Sequence, residues 1–470
     1  MSMWRAWIAI AAVMLAWAIA PGCDGRTGGE SAGAGGERTK SIELWTLALK
    51  GRPELEDYVR GQIAAFERAH AGVRVVWVDV PFREVDRKLM AAAAAGRAPD
   101  VVNFSDKTYA RFVGLGALRD LRDVLPGDPK EVYLPGALSL CEMRGQTLAL
   151  PWYLTTQAVL ANEDLLSKAG MSAATLPKTW RELREAARAY RAAVGDDGTY
   201  LFSVPLGHES DFLMMLFSDG LRPLTVGADG RLKSNLMDPA VVAGVKAWVE
   251  LYREGALPRE AATQGVQHLT DLYKRNRLAV INFGPNFLNA IRQESPKVYE
   301  ATRVGPAITG ELGRGHIAVM VLGVTTQSKE PKLAAELAWA LSSAESQAEL
   351  CRIVPVLPST RATVESDLFA MPTGERAARM TRPELKLAQA QAIAAESLKS
   401  AVAFTPSLAE WPDMRRAFED RIKRAMLSGE AVEESLKVID EEWTRILAAA
   451  GGGKEAGEGV LPRGDRSVER

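Results

Sequence analysis

Between residues 42 and 104 the apolar positions switch between two periods. Residues 42–47 (IELWTL) form a short β-prone run. Pro53 then opens a segment in which Leu55, Val59, Ile63 and Phe66 recur at helical spacing. Residues 73–80 (VRVVWVDV) are a near-continuous β-branched run, the pattern of a strand buried on both faces. Val85 and Leu89 mark a second helix that ends near Gly96, and residues 100–104 (DVVNF) read as a third strand. This alternation predicts an α/β fold with a parallel sheet covered by helices. In such sheets ligands sit beyond the carboxyl ends of strands, which points to Trp45 and Thr46 and to Ser105, Asp106 and Lys107.

A second patterned block follows Pro151. Thr179-Trp180-Arg181-Glu182 reads as a capping box for a helix that carries Leu183, Ala186, Ala187 and Tyr190 on one face. Residues 195–198 (GDDG) form a turn. Asp238-Pro239 starts a helix through Val242, Val245, Val249 and Tyr252. Residues 278–283 (LAVINF) read as a strand that stops at Gly284-Pro285, and residues 317–326 as another. The remainder to about residue 447 is helix-rich, with Met414, Phe418, Ile422 and Met426 every fourth residue. Residues 451–470 have the composition of a disordered tail, in which Arg463-Gly464-Asp465 is a chance match to an adhesion tripeptide.

The first residues set the compartment. Arg5 precedes an apolar run at residues 6–20, about 15 residues against the ~20 needed to span a bilayer, so residues 1–22 read as an export signal. The run ends at Pro21-Gly22-Cys23, which resembles the lipobox of bacterial lipoproteins, with Ala20 where Leu is usual. That resemblance implies cleavage and lipidation at Cys23 and a membrane anchor on the periplasmic or extracellular face. Residues 24–40 are Gly-rich and apolar-poor and cannot pack. As a flexible chain they span roughly 20–25 Å, suited to a tether. Gly29-Glu30-Ser31-Ala32-Gly33 matches a nucleophile pattern that has meaning only on a strand–turn–helix, which this segment is not.

Composition narrows the function. The 470 residues are 47% hydrophobic and 25% charged, ordinary for a globular chain of two or three domains. Lys and Arg number 58 against 59 Asp and Glu, a balance with no long-range field for nucleic acid. The four histidines (His70, His208, His268, His316) are too scattered for a metal motif, and there is no P-loop, Rossmann fingerprint or zinc-spaced cysteine pair. Neither metal nor cofactor is expected. Beyond Cys23, Cys141 and Cys351 read as buried free thiols, with a disulfide the alternative that export permits.

A set of ordered motifs then carries a resemblance. Ala98-Pro99-Asp100-Val101-Val102, residues 114–121 (GLGALRDL), Leu150-Pro151-Trp152-Tyr153 and residues 160–165 (LANEDL) come first. Lys168-Ala169-Gly170, Pro177-Lys178-Thr179-Trp180, Leu278-Ala279-Val280-Ile281 with Gly284-Pro285, and Ser328-Lys329-Glu330-Pro331 follow. Together they resemble the family 1 extracellular solute-binding proteins of ABC importers, which include maltose- and glycerol-3-phosphate-binding proteins, over residues 41 to 447. The sequence departs from the family at Ala161, where Tyr is usual, and at Asn286, where an aromatic is usual and Phe287 follows one place later. The frequent Gly-Gly near Val319 and Met320 is also missing. Ligand identity is therefore not carried over.

The resemblance implies a two-lobed, type II-like periplasmic-binding-protein fold. One lobe would comprise residues 41–153 and 308–346, the other residues 157–304 and 350–448, with crossings near residues 153–157, 304–308 and 344–350. A monomeric, non-catalytic chain would hold a small polar solute between closing lobes and deliver it to permease subunits. A receptor-linked sensor or an exported carbohydrate-active enzyme is the alternative.

A sugar presents apolar C–H faces to aromatic rings and a hydroxyl rim to charged and amide groups. Trp45, the pair Trp152 and Tyr153, Phe287 and Trp411 are the candidate platforms. Asp106, Lys107, Glu209, Asp211, Asn286 and His316 are the candidate polar contacts. Trp77, Trp248, Trp339 and Trp443 lie within regular elements and are expected in the core.

Overall fold

The computed structural model describes residues 39–449 apart from Arg83, Arg144, residues 208–211, Ser407 and Ala409. The expected export signal, Cys23, most of the linker and the 451–470 tail lie outside the described residues.

The early strands form where their patterns place them, at Lys40–Leu47, Val73–Val80 and Val101–Ser105. The first pairs in parallel with both others, Lys40 lying opposite Val73 and Leu44 opposite Val101. Three later strands extend the sheet in antiparallel fashion: Ile317–Val324 beside Val101–Ser105, then Leu150–Thr156, then the short Leu357–Pro358. The sheet is thus mixed rather than parallel. Val73–Val80 is its edge strand, not a strand buried on both faces: Val76 is exposed, and Lys50 and Arg60 cover the Trp77 ring at 4.9 and 5.4 Å. Asp100 ties the sheet to a distant motif. Its carboxylate accepts from Glu43 N at 2.9 Å and from Ser328 Oγ at 2.6 Å, so Ala98-Pro99-Asp100 and Ser328-Lys329 meet across 228 positions.

Helices cover this sheet and close the first core around Ile42, Phe104, Tyr133, Trp152 and Leu337. Cys141 and Cys351 are both buried here as free thiols, and burial raises both, Cys351 to about 12.

The second lobe is built on a three-stranded antiparallel sheet, Ala158–Asn162 between Val280–Phe283 and Thr302–Pro306. Its larger core holds Trp248, Phe418 and Trp443, the last donating from Nε1 to the Met414 carbonyl at 2.7 Å. A smaller cluster gathers Tyr273, Phe287 and Ile291. The helix Trp180–Val194 starts with Thr179 accepting from Glu182 N at 3.3 Å, but the Glu182 carboxylate reaches back one residue further, to Lys178 N at 2.8 Å. The reciprocal capping box expected there is found instead at Thr381 and Glu384.

The chain passes between the lobes three times. Gln157 alone separates the first-lobe strand Leu150–Thr156 from Ala158–Asn162. On the return, Ile308 still belongs to the second core and Ile317 to the first, so the passage lies between them. The third passage is not at residues 344–350. The helix Ala344–Ile353 packs Leu350 and Cys351 into the first core, as do Val364 and Phe369 after it. The crossing is made by the helix Arg382–Ser397, with Ala390 in a second-lobe cluster and Ala394 and Ala395 in the first core, and by the stretch to Phe404. Apolar contacts on two sides explain why its sequence shows no single apolar stripe.

Candidate ligand-binding cleft

A cavity of about 740 Å³ opens between the two cores, within the usual range for small-molecule sites. Its first-lobe wall starts where the buried strand Val101–Ser105 ends. Ser105 caps the following helix, Asp106–Gly114, by accepting from Thr108 N at 3.4 Å. One turn on, Tyr109, Ala110 and Arg111 reach the cavity. Tyr109 is buried and donates its hydroxyl to the Cys141 carbonyl at 3.1 Å, and burial holds that phenol well above its ordinary value. Arg111 Nη1 lies 3.8 Å from Asp86, both side chains about half exposed. The other oxygen of Asp86, Oδ1, has no hydrogen-bond partner among the described residues.

The second-lobe wall is assembled from three separate stretches. Leu213 and Met214 come from the helix Phe212–Ser218, and Phe283, Gly284 and Asn286 from a strand end. Trp411, Arg415 and Arg416 come from the first turns of the helix Trp411–Ser428. Trp411 is wedged between Phe217 at 6.1 Å and Trp443 at 5.9 Å, so the cavity meets only a small part of its ring. At Gly284 a Cβ would sit 2.5 Å from Asn286 Oδ1, so the close approach of that amide requires glycine. Arg415 Nε lies 3.6 Å from the buried Glu419 carboxylate, and Arg416 Nη1 3.4 Å from Asp413.

The floor is made by the passages themselves, through Thr156, Gln157, His316 and Ala403. Thr156 Oγ1 donates to the His316 carbonyl at 2.7 Å, tying the first passage to the second. Val402 N donates to the Gly315 carbonyl at 3.0 Å, and Ile317 N to the Val402 carbonyl at 3.1 Å, tying the second to the third. His316 Nδ1 accepts from Phe404 N at 3.2 Å while its ring stacks on Phe404, so its neutral form carries the proton on Nε2.

The structure brings Asn286, His316 and Trp411 together around this cavity. It places other expected residues elsewhere. Trp152 is fully buried in the first core, edge-on to Tyr153 at 5.3 Å, and Tyr153 packs against the same core with its phenol raised by burial. Proximity to a crossing does not decide which face of a strand a ring occupies. Phe287 packs into the small second-lobe cluster beside Phe283, at 5.1 Å. Trp45 turns its Nε1 to Glu43 at 2.7 Å and packs near Leu47, Val80 and Val85. Asp106 and Lys107 are the first residues of their helix, and their side chains, like Glu209 and Asp211, lie outside what is described. Sequence reasoning missed Tyr109 and Arg111, which a helical count from the third strand's end would have reached. It also missed Phe283, Arg415 and Arg416, one or two turns from residues it named. Among the described residues no group of three His, Cys, Asp or Glu side chains is placed to hold a metal ion.

Residues 52–348 match the model of the bacterial extracellular solute-binding protein family, and the chain belongs to that family. A "putative oligosaccharide periplasmic-binding protein" of Synechococcus sp. MITs9220 is 31% identical with a TM-score of 0.75, over 87% of this chain and 99% of that one. The sugar-binding protein MalE of Xanthomonas citri shares the fold at 23% identity and a TM-score of 0.70, over 87% and 98% of the two chains. An "uncharacterized lipoprotein" of Streptomyces antibioticus is 23% identical over 297 residues, 62% of this chain and 64% of that one. The chain spans about 60% of the length of the first curated relatives it matches and about a quarter of others. The family and both structural neighbours are described as binding proteins.

Proposed function

We propose that this chain is the substrate-binding component of an ABC importer and captures a saccharide in the cleft without chemically changing it. The observation that carries the reading is the cavity of about 740 Å³ walled by two separate cores and floored by three hydrogen-bonded passages. Such a site can change width by bending at its floor while each wall stays packed. Phe283 and the exposed part of Trp411 offer apolar faces to sugar C–H groups, and Asn286 and the arginines offer the hydrogen bonds that a hydroxyl rim needs. Binding without hydrolysis is supported by the family and the structural neighbours, which are binding proteins. Export and a lipid anchor at Cys23, with permease subunits as partners and a monomeric state, complete the reading.

Thermal unfolding of the purified protein against a panel of mono- and oligosaccharides tests it. A ligand at a hundred times its Kd adds about 2.7 kcal/mol of stability, so at least one saccharide raises Tm by several degrees. Turnover of that saccharide, or no shift from any member of the panel, would overturn the proposal.

A further inference from the structure

The charges around the cleft narrow the solute further, on the basis of the saccharide reading above. Among the described lining residues there are three arginines and one acid: Arg111 on the first wall, Arg415 and Arg416 on the second, and Asp86. Each of the three has a carboxylate within 4 Å, but none is hydrogen-bonded to it. Arg111 and Asp86 stand 3.8 Å apart with both side chains about half exposed, a separation and exposure worth little. Arg416 and Asp413 are more exposed still. Arg415 is the most enclosed of the three, and its nearest approach to a carboxylate is Nε to Glu419, at 3.6 Å. Its terminal nitrogens make no hydrogen bond with the described residues, and a guanidinium edge is a fork for oxyanions.

We propose that the solute is an acidic saccharide, whose carboxylate or phosphate group is grasped by Arg415 from the second wall and Arg111 from the first.

The test is calorimetric titration of the purified protein at low and at physiological salt. The four probes are maltose, a disaccharide ending in glucuronate, glucose 6-phosphate and inorganic phosphate. At least one acidic sugar binds about tenfold or more tighter than maltose, the gain of one charge-assisted hydrogen-bond pair, and loses affinity as salt screens it. The two acidic arms separate a carboxylate from a phosphate as the recognised group. The substitution Arg415→Gln reduces the ratio of acidic to neutral affinity about tenfold, by the same bond pair lost. Because that change leaves the buried Glu419 without Arg415, Arg111→Gln serves as the second variant, on an exposed residue whose loss cannot impair folding in the same way. Maltose binding as tightly as both acidic sugars, or an acid preference that survives both substitutions, overturns the acidic-saccharide inference while leaving saccharide capture standing. Inorganic phosphate matching glucose 6-phosphate overturns it as well, because the sugar would then contribute nothing. Failure of all four probes and of the wider saccharide panel overturns both readings together.

Discussion

In the first lobe one six-stranded sheet carries the core, and a neutral network fixes its last strand. In the second lobe a three-stranded sheet is outweighed by helices, and a buried charge holds the departing chain. The first-lobe network centres on Gln347, which donates to the Ser342 carbonyl at 2.7 Å and to Ser359 Oγ at 2.8 Å and accepts from Ser359 N at 2.6 Å. All of its members are buried and none ionises. The second-lobe counterpart is Asp219, which accepts from Glu311 N at 3.2 Å and lies 4.0 Å from Arg184, against the return passage. Leu312 N also donates to the Ser218 carbonyl, and a Cβ at Gly310 would strike that carbonyl group. The contrast teaches that the first wall is backed by one six-stranded sheet while the second is a convergence of distant stretches on a small one. One of the clamps on the passage between them is sensitive to pH.

The largest expected effect tests whether the lobes are separate cores. Trp152→Ala costs about 3–5 kcal/mol, as truncation of a buried aromatic does. It lowers a first-lobe transition in calorimetry while a second-lobe transition keeps its temperature; Trp443→Ala does the converse. A single transition moved equally by both would erase the distinction.

Asp219 gives the next effect. Burial raises its carboxyl from 3.8 to about 6, with Arg184 and the Glu311 amide partly opposing the rise. The folded chain therefore holds this proton better than the unfolded one. The associated stability is fully present below about pH 4 and is lost as pH rises to about 6. Relative to the native chain, Asp219→Asn should be more stable at pH 7 than at pH 4, by up to about 3 kcal/mol for a shift of this size. Denaturant titrations at the two pH values measure it; a pH-independent difference would remove the contrast in clamp chemistry.

The smallest effect concerns the helix shared by both lobes. Thr381→Ala removes the reciprocal cap with Glu384 and costs about 1 kcal/mol. Hydrogen exchange should rise first in residues 382–386, and an unchanged rate there would show that packing alone sets the crossing.

How much was legible follows from the same contrast. The strands and helices up to residue 105 declared themselves, because each buries one regular set of side chains. The family motifs were legible too, and Asp100 with Ser328 shows why: they are structural joints of the sheet. The third crossing was not legible, because Arg382–Ser397 divides its apolar contacts between two lobes and presents no stripe. The cleft was half legible. Asn286, His316 and Trp411 stand at element ends that sequence can mark. Trp152 and Tyr153 share that placement but point inward, and side-chain facing depends on the whole sheet. Arg415 and Arg416 read as ordinary helix-surface charges until the fold sets them opposite Arg111.

The central claim is that the two walls close on a saccharide. Small-angle X-ray scattering of the purified protein, with and without a saturating saccharide chosen from the thermal panel, tests it most directly. The account predicts a smaller radius of gyration in the bound state at unchanged molecular mass. An unchanged radius with calorimetrically proven binding would contradict it.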